Sequence, residues 1–262
     1  MDCTIASASD KGLRKEENQD YLSYYDGPTH KNGLLLVLAD GIGGRSGGGT
    51  ASKIAVETLM EYFYSKKNIN IPVVIKKGFK EANRVVVEKG DQDISLNGMG
   101  CTMNAVVLRD DKMYHNNVGD SRGYIISGDE ISQFSTDHSF VSDLVKAGAI
   151  TEEDALTHPE RHVLTKAIGI DPKLQIETNK EYLQIENSQY ILLCCDGLYG
   201  VVPDEEILDT VNTLKSPDDI CKKLIEKANE NGGPDNISLI VVRINNIGLV
   251  SNLKNKFKAL MR

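Results

Sequence analysis

Five aspartates stand in turns next to apolar runs, at widely separated points of the chain: Asp20, Asp40, Asp120, Asp196 and Asp235. Asp40 follows the apolar run 34–39 and precedes Gly41, and Asp196 lies in the same way between an apolar run and Gly197. An unpaired carboxylate at the end of a buried strand is costly, so each of these groups needs a cation nearby. If the strand ends converge, the five carboxylates form a cluster that repels itself.

Carboxylate and backbone carbonyl oxygens are the ligands that hard divalent cations such as Mg²⁺ and Mn²⁺ prefer. The glycines let the backbone approach closely enough to supply a carbonyl oxygen. Two such ions would relieve the repulsion and hold a bridging water, whose lowered pKa makes it a hydroxide nucleophile at neutral pH. Lys15 and Arg14 precede Asp20 closely in the sequence, and either cation can clamp a phosphate group.

Other interpretations of the same residues are open. Asp-Gly is a common turn dipeptide, and aspartate-rich turns also bind Ca²⁺. Gly43 and Gly48 have the spacing that begins a Walker-type phosphate loop, but Gly49 stands where that loop needs lysine. A nucleotide-binding P-loop is therefore excluded.

The composition is that of an ordinary globular protein. The chain has 262 residues, 40% hydrophobic and 26% charged, which suits one large domain or two small ones. Its net charge of -8 argues against a nucleic-acid-binding surface. Five cysteines without a C-x-x-C pair argue against a disulfide framework or a zinc knuckle. Since the start lacks a signal-peptide core and no apolar run approaches about 20 residues, we expect a cytoplasmic protein.

Apolar periodicity predicts the elements that would position these residues. The run 34–39 is typical of a strand buried on both faces, and residues 50–59 and 72–89 have helical spacing. Further strands are predicted at 3–9, 101–108, 112–118, 123–127, 130–134, 181–185, 189–195 and 237–242, and further helices at 207–211 and 218–228. The four strands between 101 and 134 are separated by turn residues and predict one antiparallel meander.

Two segments differ from this pattern. Residues 139–162 predict a small helical insertion, in which one helix ends at Gly148 and the next is capped by Thr151. The tail over residues 244–262 places apolar residues at helical spacing, with lysines and an arginine among them. A basic amphipathic helix of this kind most often packs on its own domain, but it can also lie on an anionic membrane or dock on a partner.

Motifs along the chain are GLRKEENQD (12–20), ADGIGG (39–44), GCT (100–102), VGDSR (118–122), TDHS (136–139), CDGLYGV (195–201) and GGPDNIS (232–238). His-Pro at 158–159 leads to Leu-Thr at 164–165 and Ile-Gly at 168–169. As an ordered set these motifs closely resemble the metal-dependent serine/threonine protein phosphatases of the type 2C class, in their compact bacterial form. The resemblance covers roughly residues 1–243 and is specific as a set, although each motif alone is weak.

The resemblance implies an α+β fold, a four-layer α-β-β-α sandwich of two antiparallel sheets flanked by helices. It implies a catalytic domain over 1–243 with a flap at about 139–162, and a separate tail over 244–262. It also implies hydrolysis of phosphoserine and phosphothreonine by direct attack of a hydroxide that bridges two Mn²⁺ or Mg²⁺ ions, without a phosphoenzyme.

The resemblance also assigns roles to individual residues. Asp40 and Asp196 would flank the two-metal centre and act in catalysis, with Asp235 completing the shell of one ion and the Gly41 carbonyl serving the other. Asp20 would hold metal-bound waters. Asp120, together with Asp196, matches an additional metal site of bacterial members.

The chain departs from the family pattern at three positions. Gln19 replaces a glutamate that many members have beside Asp20. The phosphate-binding arginine of the family falls on Lys15, with Arg14 one position earlier, so which of the two contacts phosphate is open. Ile42 stands where some members have a histidine proposed as general acid, so the group that protonates the leaving group is not identified. We expect His138 to order its loop and His162 to lie on the flap.

By analogy with the family, the partners are phosphorylated proteins, among them a cognate serine/threonine kinase and its substrates, and we expect a monomer that binds no nucleic acid. Two rivals are a scaffold that keeps the fold without catalysis, which Gln19, Lys15 and Ile42 permit, and a Ca²⁺-binding module. Retention of Asp40, Asp196 and Asp235 argues against the scaffold, because a scaffold has no need of mutually repelling carboxylates.

Overall fold

A computed structural model describes residues 1–25, 31–42, 47–67, 69–177 and 181–247 of the chain. The strands are β1 (Asp2–Asp10), β2 (Tyr21–Tyr24), β3 (Leu34–Ala39), β4 (Gly41–Ile42), β5 (Gly100–Cys101), β6 (Met103–Arg109), β7 (Lys112–Val118), β8 (Arg122–Ser127), β9 (Glu130–Gln133), β10 (Leu183–Gln184), β11 (Tyr190–Cys194) and β12 (Ile237–Asn246). The helices are α1 (Gly47–Ser65), α2 (Ile71–Gln92), α3 (Phe140–Lys146), α4 (Glu152–Thr157), α5 (Asp196–Tyr199), α6 (Asp204–Leu214) and α7 (Pro217–Glu230), with a 3-10 turn at Ile94–Leu96.

Two antiparallel five-stranded sheets form the centre of the molecule. Their strand orders are β1-β12-β11-β8-β9 and β10-β7-β6-β3-β2, and β4 pairs with β5 in a separate two-stranded ladder. Helices α1 and α2 pack on the outer face of the second sheet, and α6 and α7 pack on the outer face of the first. The predicted four-layer α-β-β-α sandwich is therefore confirmed.

Alternating side chains of the central strands explain why their sequences are apolar throughout. In β3, Leu36 and Leu38 face the opposite sheet, while Leu35 and Val37 face α1 and α2. In β11, Ile191 likewise packs between the sheets. Since successive side chains of a strand point to opposite faces, a strand between two apolar layers needs apolar residues at every position.

The predicted meander over residues 101–134 is wrong. β7 pairs with β6 and β10, whereas β8 pairs with β9 and β11 in the other sheet, so residues 119–121 carry the chain from one sheet to the other. Gly119 has a φ of +92° at this crossover, a conformation that favours glycine. The crossover places Asp120 at the end of the gap between the two sheets.

The predicted helical insertion is present between β9 and β10. Ser139 caps α3, and Thr151 with Asp154 forms a capping box at the start of α4. Four elements of the described chain were not predicted from the sequence: the short strands β2 and β4, the 3-10 turn at Ile94–Leu96 and the single helical turn α5.

The division into a catalytic domain over 1–243 and a tail over 244–262 stays a prediction. β12 runs on to Asn246, past that boundary. The tail from residue 248 onward lies outside the described residues, as do Gly43 and Gly44. Among the described helices, none combines the length and apolar character needed to cross a bilayer.

Candidate metal centre

A cleft of about 810 Å³ opens where the strand ends of the two sheets meet, and four of the five aspartates line it: Asp40, Asp120, Asp196 and Asp235. The predicted residues Lys15, Gly41 and Gln19 line the same cleft. Each aspartate lies on a different element. Asp40 follows β3, Asp120 lies in the crossover after β7, Asp196 is the first residue of α5, and Asp235 lies in the turn before β12. The structure thus brings together carboxylates that are far apart in the sequence.

Thr102 fixes the backbone at Asp40. Its hydroxyl accepts a hydrogen bond from the Asp40 N–H at 2.9 Å, and its own N–H donates to the Asp40 carbonyl at 2.8 Å. The Thr102 hydroxyl also shares a hydrogen bond of 2.6 Å with the hydroxyl of Ser121, the residue after Asp120. This buried threonine therefore ties the β3 aspartate to the crossover aspartate, a role that the GCT motif alone did not reveal.

Asp20 lies behind the cleft, close to Asp40. One ligand atom each of Asp20, Asp40 and Cys195 lie within 4.8 Å of one another. Both carboxylate oxygens of Asp20 are buried and have no hydrogen-bond partner among the described residues. Such orphaned oxygens are costly, and an adjacent divalent cation would compensate for the loss of solvation.

Cys195 lies in this cluster for a structural reason. Its thiol donates to the Asn236 carbonyl at 3.2 Å and accepts from the Ser238 N–H at 3.1 Å. Burial, followed by the charges of Asp20 and Asp40, raises the pKa of Cys195 well above its ordinary value. A neutral thiol is a poor ligand for a hard cation, so the donor set that remains consists of oxygens.

Burial and mutual repulsion oppose ionisation of Asp20, Asp40 and Asp120. Burial, reinforced by the charges of Asp20 and Asp196, raises the pKa of Asp40 well above its ordinary value. Burial raises the pKa of Asp20 to about 6, although the nearby Ser238 hydroxyl and Cys195 thiol, whose geometry falls short of a hydrogen bond to this carboxylate, oppose the shift. Burial, with the charge of Asp196, raises the pKa of Asp120 to about 7. A cluster of this kind fits Mn²⁺ or Mg²⁺, because a divalent cation favours the ionised form of every carboxylate around it.

The turn before β12 is tied to the loop that carries Lys15. Asn236 is buried; its side-chain amide donates to the carbonyls of Lys11 and Glu17 at 2.9 Å each, and it accepts from the Gln19 N–H at 2.9 Å. One asparagine thereby holds residues 11–19 against Asp235. The sequence pattern included Asn236 within a motif but did not identify this function.

Lys15, and not Arg14, points into the cleft. The Lys15 ammonium lies 2.7 Å from a carboxylate oxygen of Asp235. Desolvation lowers the pKa of Lys15, but the hydrogen bond and charge of Asp235 outweigh it, so the net shift is upward. Arg14 is exposed and is not among the described residues that line the cleft; its backbone N–H donates to the Gly233 carbonyl.

The two histidines of the insertion region have different positions. His162 lies at the mouth of the cleft, with Nδ1 3.5 Å from an Asp196 carboxylate oxygen and a side chain that is 63% exposed. The interaction with Asp196 raises the pKa of His162. His138 does not line the cleft; its backbone N–H donates to the Gly119 carbonyl, and its own carbonyl accepts from the Thr165 N–H. These are backbone hydrogen bonds, so the expected ordering role of the His138 side chain stays a prediction.

Comparison with known proteins agrees with this geometry. The family model described as Protein phosphatase 2C matches residues 12–236. The chain is 32% identical over 241 residues to the serine/threonine phosphatase stp of Listeria welshimeri, covering 90% of this chain and 94% of that protein.

Solved structures show the same similarity. A serine/threonine phosphatase from S. agalactiae is 32% identical with a TM-score of 0.85, covering 93% of this chain and 100% of that one. The catalytic domain of the serine/threonine protein phosphatase PstP, in complex with two manganese ions, is 28% identical with a TM-score of 0.81, covering 93% of this chain and 99% of that one.

The matched region contains all five aspartates of the cluster and Lys15. The family model spans most of the chain, and the relatives are matched over nearly their whole length. The chain therefore belongs to the protein phosphatase 2C family and is a serine/threonine protein phosphatase, a phosphoric monoester hydrolase.

Proposed function

We propose that the aspartate cluster holds the catalytic ions of this phosphatase, two Mn²⁺ or Mg²⁺ ions in the main site and a further one near Asp120. The observation that carries this assignment is the convergence of four cleft-lining carboxylates in front of Asp20, whose buried oxygens have no partner among the described residues. PstP, which shares the fold, binds two manganese ions in its crystal structure. When bound, such ions polarise water so that it can attack phosphorus at neutral pH.

Each residue of the chain has a defined task in this proposal. Asp40, Asp196 and the Gly41 carbonyl hold the two main ions, and Asp235 completes the set. Asp120 and Asp196 hold the further ion, while Asp20 orders water behind Asp40. Since Thr102 and Asn236 fix the backbones of these ligands, the oxygens are held in place before the substrate binds.

Lys15 is the residue that we assign to phosphate binding. Its ammonium lies in the cleft at 2.7 Å from Asp235, beside the carboxylates that would hold the ions, where it would supply a positive charge to a bound phosphate. Lysine binds phosphate as a point charge and lacks the bidentate fork of arginine. Arg14 has its side chain outside the cleft and is assigned no direct role.

The substrates are phosphorylated proteins that carry phosphoserine or phosphothreonine. The open cleft has an apolar rim formed by Ile42, Leu164 and Ile170, which suits a peptide segment better than a free metabolite. We place the enzyme in bacterial cytoplasmic signalling, opposite a serine/threonine kinase, because the relatives that it resembles are bacterial serine/threonine phosphatases. The catalytic unit in this proposal spans residues 1–243, with residues 139–162 as a flap and 244–262 as an appended tail.

The test compares Asp196→Asn with Asp209→Asn, a matched change at an exposed aspartate on α6. Hydrolysis of p-nitrophenyl phosphate and of a phosphoserine peptide is measured across a Mn²⁺ titration, with and without EDTA. Loss of ligation should remove several kcal/mol of transition-state stabilisation, which lowers kcat roughly 100-fold or more. Asp209→Asn should behave as wild type. Metal-independent turnover, or full activity in Asp196→Asn, would refute the assignment.

A further inference from the structure

A second groove of about 960 Å³ lies on the outer surface of the molecule, away from the metal centre. Its walls are the first turns of α2 with the two residues before them, Arg109 at the end of β6, Tyr114 of β7, and Tyr182 just before β10. It shares no lining residue with the cleft of the aspartates among the described residues. Tyr182 directly precedes β10, which is the edge strand of its sheet among the described residues.

Four cations line this groove: Lys76, Lys77, Lys80 and Arg109. No aspartate or glutamate of the described chain is among the lining residues. Within the described ranges, none of the four side chains takes part in an ion pair or hydrogen bond, whereas Arg84 farther along α2 is paired with Glu81 and Glu88. A concentrated patch of free positive charge contrasts with the net charge of -8 of the whole chain.

The helix geometry explains why the lysines act together. Val73, Lys76, Lys77 and Lys80 are spaced by three or four residues along α2, so they lie on one face. Opposite this face, Tyr114 and Tyr182 have ring centroids 5.9 Å apart, and the Lys112 ammonium lies 4.3 Å above the Tyr182 ring. Tyr182 and Val73 remain 39% and 45% exposed. The groove therefore offers apolar and aromatic surface between positive charges.

This combination favours an acidic peptide over other anions. A free phosphate would use the cations but would leave Val73 and the two tyrosines uncovered, and the net charge of -8 of the chain disfavours a nucleic acid. An acidic segment with interspersed apolar side chains can satisfy both kinds of surface, because its carboxylates meet the lysines while its apolar side chains cover the tyrosines.

The groove is linked to the metal centre through α2. Farther along this helix, the Asn83 amide donates to the Asp171 carbonyl at 2.9 Å and accepts from the Gly169 N–H at 2.8 Å. Asp171 lines the cleft of the aspartates. With a helical rise of 1.5 Å per residue, Lys76 and Asn83 are separated by roughly 10 Å along the axis. The same helix therefore lines the groove at its start and supports the wall of the cleft farther along.

From these observations we propose that the groove binds an acidic segment of the phosphoprotein substrates, at a distance in sequence from the phosphorylated residue. The proposal rests on the phosphatase function proposed above and adds a substrate class to it: phosphoproteins with an acidic, partly apolar stretch separate from the phosphosite. Binding at the groove raises the local concentration of the phosphosite at the metal centre.

The first experiment measures binding alone. A fluorescent unphosphorylated peptide of alternating acidic and leucine residues is titrated with the full chain in EDTA, so that catalysis plays no part. The Lys76→Glu/Lys80→Glu variant is compared with Lys89→Glu/Lys222→Glu, which makes the same charge change at exposed lysines lining neither site. Because attraction becomes repulsion at two positions, we expect the groove variant to lose roughly tenfold or more in affinity, and the control to bind as wild type. Equal loss in both variants, or no binding by wild type, would overturn the proposal.

The second experiment measures selectivity. A phosphoserine peptide with the acidic stretch about ten residues away, a reach of up to roughly 33 Å when extended, should show a KM that rises in the groove variant with kcat unchanged. A peptide without the stretch, and p-nitrophenyl phosphate, should be hydrolysed equally by all variants. If the wild-type enzyme failed to hydrolyse p-nitrophenyl phosphate in Mn²⁺, the metal-centre assignment would be refuted. The result of the peptide-binding experiment would not be affected. Displacement of the acidic peptide by an equal charge of single-stranded DNA would show a general polyanion surface and refute the proposal.

Discussion

Lys15 is the residue at which this chain differs most consequentially from its family pattern. An arginine at this position would present a planar fork to phosphate, whereas lysine offers a single charge. Of the two residues, Lys15 lines the cleft and is paired with Asp235, whereas Arg14 is exposed. The pair is half exposed, so its contribution to stability is small, and its importance lies in orienting the ammonium.

Lys15→Ala should weaken phosphate binding, with KM for p-nitrophenyl phosphate increasing by roughly tenfold, the scale of one charge-assisted hydrogen bond. Arg14→Ala is the matched control and should leave KM within a factor of about two, because an exposed side chain away from the substrate contributes little. The measurement is steady-state kinetics at saturating Mn²⁺, together with inhibition by inorganic phosphate. A larger effect from Arg14→Ala than from Lys15→Ala would contradict the assignment.

At the scale of elements, β4 and the start of α1 approach each other so closely that Gly41 and Gly48 leave no room for a side chain. A Cβ on Gly41 would lie 2.4 Å from the backbone of Gly48 and 2.5 Å from the Gln19 carbonyl. A Cβ on Gly48 would lie 2.8 Å from the Gly41 carbonyl carbon. The first turn of α1 therefore packs directly against the backbone of Gly41, whose carbonyl oxygen we assign to the metal site. A Cβ on Gly49, the next residue, would lie 3.6 Å from its nearest described neighbour, which is an ordinary van der Waals contact.

Gly48→Ala should displace the Gly41 carbonyl and weaken Mn²⁺ binding, which shifts the activating Mn²⁺ concentration upward by roughly 10- to 100-fold, the scale for disturbing groups that orient metal ligands. Gly49→Ala introduces the same methyl group on the same helix without this contact. It should keep wild-type activity and gain up to about 1 kcal/mol of stability from helix propensity. Mn²⁺ titration by calorimetry and by activity distinguishes the two. Identical metal affinities in both variants would show that close packing at Gly41 is irrelevant to the site.

At the scale of the whole molecule, the aspartate cluster links folding to pH and to metal. The pKa values of Asp20 and Asp120 lie at about 6 and about 7 in the metal-free protein, against an ordinary value of 3.8, with burial as the main cause. A carboxyl whose folded pKa is raised contributes stability below its unfolded pKa, and this contribution is lost as pH rises through the folded value. The metal-free protein is therefore destabilised by the charges that the enzyme needs.

In EDTA, we expect Tm to fall as pH rises from about 4 towards the folded pKa values of about 6 and about 7. With Mn²⁺ present, the ions bind the ionised carboxylates and stabilise the folded state by mass action, so the increase in Tm caused by Mn²⁺ should grow over the same range. Thermal unfolding at several pH values checks both trends. Asp120→Asn should flatten the metal-free profile, since the amide cannot ionise. A metal-free Tm that rises over this interval would contradict the account.

Some features followed from the sequence alone because they depend on local patterns. The apolar run of β3 and the cap at Thr151 determine a strand and a helix start from adjacent residues. The ordered motifs also indicated the family and the sandwich, as the matched family model and the sheet order confirm.

Only the tertiary structure decided which strands share a sheet and which side chains meet. The turn at 119–121 has hairpin composition but crosses between sheets, because pairing depends on non-local packing that local residue types do not encode. The same holds for the selection of Lys15 over Arg14 and for the anchoring of residues 11–19 by Asn236, more than two hundred residues away. Contacts over such separations are set by how the two sheets stack, and therefore they emerge only once the chain is folded.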